Sequence, residues 1–308
     1  MFSAISRNFA NEWLPKPDRV ANGLAYGLIL IHFLALLSLI AVLFGANPAN
    51  AAEGDLTCGA KDLVGELKKT DPAAYAKLKA EGEKIRNSGY RFWKLEKNGQ
   101  APNWLLGTMH VSDPRVTDLA DAAKAAYAGA DTVILESDEI LDQRAASAKL
   151  FAKPDLMMFT GDKTIIDYLS PEDEKVLAAG LMARGIPLTS VVKMKPYIIA
   201  SMVSLSTCEL SRKANGMPFL DMKLAVEAQA AGKQVRGVET LAEQIEAMAS
   251  LPLDFHMRAL VSSVRYPQYT ADMMETTLQL YLDGNIGLVF PAGAYFAPEK
   301  STGDLAKA

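Results

Sequence analysis

The sequence predicts an α/β protein, with an α+β arrangement as the alternative, in which helices flank a mixed β-sheet behind an N-terminal hydrophobic helix. Three observations favour this class. Short runs of strand-forming residues alternate with helix-forming stretches after residue 90. Helix-capping patterns stand at several of the boundaries between them. The chain of 308 residues is 50% hydrophobic and 22% charged, which is ordinary for a globular protein with one large core.

The first 51 residues predict a targeting segment, either a signal peptide or a membrane anchor. Residues 23–46, GLAYGLILIHFLALLSLIAVLFGA, carry no charged side chain and are long enough to span a bilayer. Residues 49–51, Ala-Asn-Ala, fit the small-x-small pattern of signal-peptidase sites, which slightly favours cleavage. Either alternative exports the rest of the chain, so we expect it in the periplasm, free or anchored to the inner membrane.

The two cysteines agree with export. Cys58 and Cys208 are the only cysteines, and both follow the hydrophobic segment. In an oxidising compartment an even pair is more often bridged than free. We therefore expect a disulfide between Cys58 and Cys208, with two buried thiols as the alternative.

Composition restricts the partners and the number of domains. The net charge is −4, and no cluster of Lys and Arg suggests a groove that follows phosphates, so we expect no nucleic-acid partner. No repeat or low-complexity linker marks a second domain. We expect one domain over residues 52–290 and a loose tail over residues 291–308, which contain Pro, Gly and Ala.

The first elements of the exported part are two helices and a hairpin. Residues 62–70 are helical in pattern, and a second helix begins with Asp71 as N-cap and Pro72 at its first position. Gly89 is the expected end of that helix. Residues 90–108 then predict two strands around Asn98-Gly99, a pair typical of hairpin turns.

A strand, a helix and a strand follow one another around His110. The strand of the hairpin ends before His110, residues 114–130 predict a helix, and residues 131–137 predict a strand that ends at Glu136. Such a βαβ unit makes the two strands parallel neighbours. The carboxyl ends of parallel strands share an edge, where ligands bind in open α/β sheets. His110 and Glu136 are therefore expected to face one cleft.

Glu239 stands at a similar junction. A helix closes near Gly232, residues 233–239 predict a strand, and Thr240 and Glu243 form a capping box that starts the next helix. A strand-end glutamate alone is more often a solvated or capping residue, and a lone histidine is often structural. Because all three side chains converge on one edge, we predict that His110, Glu136 and Glu239 line one cleft.

Two later stretches predict scaffold helices. Residues 170–185 begin with Ser170 as N-cap and Pro171 at the first helical position. Residues 271–285 are amphipathic, and we expect their apolar face to pack in the core rather than on a membrane.

Four stretches of the chain resemble the TraB/GumN family. They are WLLGTMHVSD, VILESDE, PFLDMKLAVEAQAAGKQVRGVETLAEQ and LYLDGNIG. The likeness runs from about Cys58 to Gly287, and the Gly-Thr-Met-His motif is its most specific part. The family is similar to the Tiki metalloproteases and, more distantly, to erythromycin-esterase and ChaN-type proteins. The resemblance implies an exported α/β protein with a divalent-metal site and a hydrolase activity, often proposed to be peptidase-like.

Residue by residue, the resemblance implies His110 and Glu136 as catalytic residues, and His110, Glu136 and Glu239 as metal ligands. An imidazole with carboxylates forms a mixed nitrogen–oxygen donor set, which suits manganese, cobalt or magnesium. In this scheme the metal activates water and a carboxylate serves as base or ligand. The implied substrate is an unidentified peptide or small molecule.

The chain departs from the family pattern near its C-terminus. The family has an Arg-Asn pair and a second Gly-x-x-His motif there, whereas His256 has no glycine three residues before it and no histidine follows it. We therefore expect a C-terminally incomplete or degenerate member with weak metal binding and slight hydrolysis. The alternative, on the ChaN analogy, is a non-catalytic periplasmic protein that binds a small ligand such as haem.

Overall fold

The computed structural model describes residues 57–298. The predicted signal peptide or anchor, with its hydrophobic residues 23–46, lies outside these residues, as does the end of the predicted tail, residues 299–308. Between residues 57 and 298, no helix combines the length and the apolar composition needed to cross a membrane.

Helices make up most of the described chain. The α-helices are α1 (Leu63–Thr70), α2 (Pro72–Glu83), α3 (Pro114–Thr117), α4 (Asp121–Gly129), α5 (Gln143–Phe151), α6 (Pro154–Met157), α7 (Pro171–Met182), α8 (Leu188–Val191), α9 (Pro196–Val203), α10 (Thr207–Ala214), α11 (Leu220–Ala230), α12 (Leu241–Ala249), α13 (Leu253–Arg265), α14 (Pro267–Leu282) and α15 (Val289–Phe296). Single 3₁₀ turns are Asp138–Leu141, Ile165–Tyr168 and Ile286–Leu288. The strands are β1 (Phe92–Leu95), β2 (Asn103–Leu106), β3 (Thr132–Leu135) and β4 (Gln234–Gly237).

This mixture of helices and small sheets confirms the predicted fold class. Strands β1 and β2 form the predicted antiparallel hairpin, in which Phe92 is opposite Leu106. Gly99 in its turn has a φ of +75°, a conformation that glycine adopts without steric cost. Strands β3 and β4 pair in parallel, with Thr132 opposite Gln234.

The strands form two separate two-stranded sheets, which are smaller than the sequence suggests. The expected parallel pairing of β2 with β3 is wrong, because β3 pairs with β4 instead. Each strand has only four residues, so each ladder ends after a few hydrogen bonds. The segment that follows β2 begins with a hydrogen bond from the Gly107 N–H to the Arg91 carbonyl, just before β1, and is then held by contacts with helices and loops described below.

Helix starts largely follow the predicted capping residues. Ser170 accepts a hydrogen bond from the Asp173 N–H, and the Thr240–Glu243 capping box is present at the start of α12. Asp71 caps α2, which ends at Glu83, before the predicted Gly89. These signals are local, because each depends on residues three positions apart.

Within residues 57–298, the core consists of three clusters of apolar side chains. The first lies where α7, α9 and α13 pack together, and its fully buried members are Ile165, Leu177, Leu181, Ile199 and Leu260. The second joins the segment after β2 to α11 and α14, through residues that include Val111, Val116, Leu220, Leu224, Leu278 and Tyr281. The third unites α1, α2, α14 and α15. The core role predicted for residues 271–285 is therefore confirmed.

Helix α15 extends into the predicted loose tail. Pro291 lies in its first turn, where a backbone N–H has no partner within the helix, so proline costs little there. Ala292 is fully buried in the third core cluster. Apolar packing thus overrides the loop-like composition of this stretch.

The predicted disulfide is confirmed. Cys58 and Cys208 are bonded across a sequence separation of 150, with Cα atoms 5.8 Å apart. The bond fastens the beginning of the described chain to the start of α10.

Gly180 is a point of close helix packing, and we expect Gly180→Ala to destabilise the fold. A Cβ atom at Gly180 would lie 2.4 Å from the Cβ of Val264 on α13. Overpacking of this kind lowers the free energy of unfolding by about 1–3 kcal/mol. Urea denaturation of the variant and the wild type measures the change. Gly129→Ala is the matched control, because a Cβ there meets nothing within 4 Å. Equal midpoints for both variants would contradict this packing.

Candidate functional site

The segment Gly107–Asp113, which carries His110, is fixed at its start by two side chains from distant helices. The Tyr281 hydroxyl donates to the Gly107 carbonyl at 2.9 Å, and the Thr108 hydroxyl donates to Asp221 Oδ1 at 2.8 Å. Burial raises the pKa of Tyr281, so its hydroxyl stays protonated and remains a donor. The beginning of the turn is therefore anchored to α14 and α11.

The same segment is fixed at its end by α10 and the loop after it. The Ser112 N–H donates to Glu209 Oε1 at 2.5 Å, and the Ser112 hydroxyl donates to the Met217 carbonyl at 2.9 Å. Ser112 is fully buried and Glu209 nearly so. His110 thus lies between two anchored points.

His110 lies between two carboxylates. Its Nε2 atom is 3.5 Å from Glu136 Oε2 and 3.5 Å from Asp221 Oδ2. The side chains of His110 and Glu136 are each 55% exposed, whereas that of Asp221 is 7% exposed. The ring of Phe219 stands 5.2 Å from the imidazole, centroid to centroid. The cluster is therefore open to solvent on one side and buried on the other.

Asp221 has one carboxylate oxygen that finds no hydrogen-bond partner within residues 57–298. Oδ1 accepts from Thr108, whereas the buried Oδ2 forms no hydrogen bond with this described part of the chain, although it lies 3.5 Å from His110 Nε2. A buried carboxylate oxygen is costly unless a cation or donor satisfies it. Asp221 lies in the first turn of α11, where the helix dipole favours a negative charge. A cation bound next to His110 would satisfy this oxygen.

Glu136 and Glu239 leave the parallel strands β3 and β4 side by side, as the shared-edge argument expects. The Glu239 N–H donates to the Glu136 carbonyl at 2.9 Å. The side chains, however, separate. Glu136 faces His110, whereas Glu239 Oε1 accepts from the Gln244 amide at 3.0 Å. In the described part of the chain, Glu239 forms no ion pair with His110.

The structure therefore brings His110 and Glu136 together and adds Asp221, which the sequence reasoning did not single out. A signal was available, because Asp221 lies inside the stretch PFLDMKLAVEAQ that carries the family resemblance. An aspartate in the first turn of a helix is ordinarily read as a favourable charge at the helix start. Its burial and its open oxygen appear only in three dimensions.

The cluster fits a divalent metal in part. One imidazole and two carboxylates supply the donors that manganese or cobalt accepts. Two ligands about 2.1 Å from a tetrahedral ion lie about 3.4 Å apart, close to the two 3.5 Å distances from His110. Residues 57–298 nevertheless contain no ready-made group of three or more His, Cys, Asp or Glu side chains arranged to hold a metal ion. A three-ligand set requires the half-exposed Glu136 side chain to turn towards the buried Asp221.

A network of buried charged side chains holds the end of the Gly107–Asp113 segment. Arg115 pairs with Asp113 at 2.9 Å and with Glu275 at 2.7 Å, and Arg212 pairs with Asp113 at 3.1 Å. Burial alone raises the pKa of Asp113, but hydrogen bonds and charge from Arg115 outweigh burial and hold that pKa below its ordinary value. Asp113 therefore stays ionised, and it caps α3 by accepting the Arg115 N–H.

The chain is similar in sequence to a known protein family and to a curated metalloprotease. Residues 91–305 match the model of the TraB/PrgY/gumN family. A curated relative, Metalloprotease TIKI2 of Danio rerio, is 25% identical over 169 residues, which cover 49% of this chain and 32% of the relative. The match thus spans about a third of the length of that relative. No solved structure matches the chain.

Proposed function

Because the chain belongs to the TraB/PrgY/gumN family, we propose that it is an exported, metal-dependent hydrolase whose site is His110, Glu136 and Asp221. The observation that carries this proposal is the buried Asp221 Oδ2, which has no hydrogen-bond partner among the described residues and lies 3.5 Å from His110 Nε2. A divalent cation between these atoms would satisfy the carboxylate oxygen. The location, in the periplasm or on the inner membrane, depends on residues 1–51, which lie outside the described chain.

Three side chains would hold the metal and handle the proton. His110 Nε2 and Asp221 Oδ2 would be the anchoring ligands, because both belong to segments that hydrogen bonds hold in place. A bound divalent ion supplies Lewis acidity and lowers the pKa of a water molecule on it. Glu136 is half exposed at the end of β3, so it can serve as the third ligand or accept the proton of the attacking water. The Phe219 ring packs against the imidazole at a tilted angle.

The substrate class that we propose is a peptide. The relative from Danio rerio is named a metalloprotease. His110 and Glu136 are half exposed, so a substrate can reach the cluster from the solvent. A non-catalytic role in binding a haem-type ligand stays a prediction, because no observation on residues 57–298 favours it.

Asp221 and Glu239 provide a direct comparison of the two possible ligand sets. We expect Asp221→Asn to weaken Mn²⁺ and Co²⁺ binding at least tenfold, since even groups behind a ligand change affinity by about 10–100-fold. Glu239→Gln should leave affinity near that of the wild type, because its carboxylate contacts Gln244. Isothermal titration calorimetry on the purified chain measures both.

The same titrations can refute the assignment. A loss of affinity in Glu239→Gln that equals the loss in Asp221→Asn would favour the ligand set expected from sequence. Absence of Mn²⁺ and Co²⁺ binding by the wild type, together with no metal-stimulated cleavage of casein-derived peptides, would refute the proposed function itself.

A further inference from the structure

We propose that Glu209 is a positioning residue for His110, and that the Cys58–Cys208 disulfide keeps Glu209 in place; the importance of His110 rests on the proposed function. In the described chain, Glu209 forms no hydrogen bond or ion pair with the His110 side chain. Its carboxylate instead holds Ser112, two residues further along the chain, through the short hydrogen bond to the Ser112 N–H.

One continuous stretch, residues 207–221, contacts the His110 segment at several points; we call it the clamp segment. Glu209 and Met217 hold Ser112, Phe219 packs against the His110 ring, and Asp221 binds Thr108 and faces His110. The clamp segment therefore supplies one wall of the site. A displacement of this segment would move a proposed ligand, Asp221, and the support of another, His110.

Glu209 is held by its own set of contacts at the start of α10. Its N–H donates to the Ser206 hydroxyl at 3.2 Å, and its Oε2 atom lies 3.4 Å from Arg212. Arg212 also pairs with Asp113, the last residue of the His110 segment. A hydrogen bond from a backbone N–H to a buried carboxylate is stronger than a bond between neutral groups. Glu209 thus helps to orient the backbone of the His110 segment.

The disulfide ties the start of the clamp segment to Cys58, which lies outside that segment. Cys208 directly precedes Glu209 in α10, a helix of only eight residues, and is bonded to Cys58. The Ser206 hydroxyl that caps Glu209 also lies 3.6 Å from Cys58 Sγ and 3.7 Å from Cys208 Sγ. Reduction of the bond would release the start of α10, so we expect it to loosen the Ser112 contact.

The test uses Glu209→Ala, Glu209→Asp and Glu209→Gln in the oxidised chain, and the wild type in its oxidised and reduced forms. Reduction should raise hydrogen exchange at Ser112, and unchanged exchange would remove the role of the disulfide. Hydrogen exchange on the metal-free protein reports directly on residues 107–113, and calorimetry reports on Mn²⁺ affinity. Loss of the acceptor leaves a buried N–H unsatisfied, so we expect exchange at Ser112 and the Mn²⁺ dissociation constant to rise by about 10–100-fold in Glu209→Ala. Glu209→Gln keeps an acceptor oxygen but loses the charge that faces Arg212, so it should show a clearly smaller increase than Glu209→Ala.

Two further variants complete the comparison. Glu209→Asp keeps the charge but has a shorter side chain, so exchange at Ser112 and the Mn²⁺ dissociation constant should rise less than in Glu209→Ala. If Glu209→Ala does not fold, Glu209→Asp supplies the result. Glu227→Ala is the matched control, because Glu227 lies on α11 with a half-exposed side chain that pairs with Lys223. It should change neither measurement.

The outcomes separate the two proposals. Unchanged exchange and affinity in Glu209→Ala would overturn the positioning role, as would equal defects in Glu209→Ala and Glu209→Gln. If the wild type binds no Mn²⁺, the proposed function fails, while the exchange measurements on the metal-free chain still decide whether Glu209 orders the His110 segment.

Discussion

His110→Ala is expected to weaken Mn²⁺ binding by more than about 100-fold and to abolish metal-stimulated peptide cleavage. Neutral imidazole is the strongest of the available ligands for a transition metal, and His110 Nε2 lies 3.5 Å from an oxygen of each of the two carboxylates. The half-exposed side chain makes few core contacts, so the free energy of unfolding should change little. Calorimetry and peptide hydrolysis measure the binding and catalytic effects.

His256→Gln is the matched histidine control for that experiment. His256 is buried, and its Nε2 atom bonds the Met248 carbonyl at 2.8 Å. Its substitution should lower stability without lowering Mn²⁺ affinity. Tight Mn²⁺ binding that survives His110→Ala would remove the role assigned to His110, and a comparable loss in His256→Gln would show that destabilisation alone explains the effect.

Loss of the disulfide has the largest expected effect on stability. Replacement of Cys58 and Cys208 by serine should lower the free energy of unfolding by up to about 5 kcal/mol in the chain-entropy account, because the bond closes a loop with a sequence separation of 150. Urea unfolding of the wild type, the double variant and the reduced wild type measures the change. A midpoint that is unchanged after complete reduction would contradict the structural role of this bond.

Features that depend on nearby residues could be predicted from the sequence. The cap at Ser170, the capping box at Thr240 and the hairpin at Gly99 each arise from a short pattern whose hydrogen bonds close within a few residues. Tertiary context has little opportunity to alter them. For the same reason the type of most elements was correct, whereas some ends, such as that of α2 at Glu83, were not.

The proximity of His110 and Glu136 was expected for a reason that was only partly correct. Parallel pairing does place Glu136 beside Glu239, but β2 belongs to another sheet. His110 reaches Glu136 because Tyr281 and Glu209, far away in the sequence, hold its segment. Such contacts leave no periodic pattern, and the sequence alone could not indicate them.

The role of Asp221 in the site likewise could not be predicted from the sequence. Its position in the first turn of α11 is visible in the sequence, but its burial depends on the second core cluster and its open oxygen on the neighbouring side chains. The sequence favoured Glu239, which lies at the expected strand end and yet bonds Gln244. Side-chain direction, and not position along the chain, distinguishes these two carboxylates.

The most direct test of the proposed site is an anomalous difference map from crystals of the chain soaked in Mn²⁺. The account predicts one strong peak within about 2.5 Å of His110 Nε2 and of Asp221 Oδ2, with Glu136 turned towards it. A saturating soak that gives no peak at these atoms, or a peak held by Glu239 instead of Asp221, would contradict it.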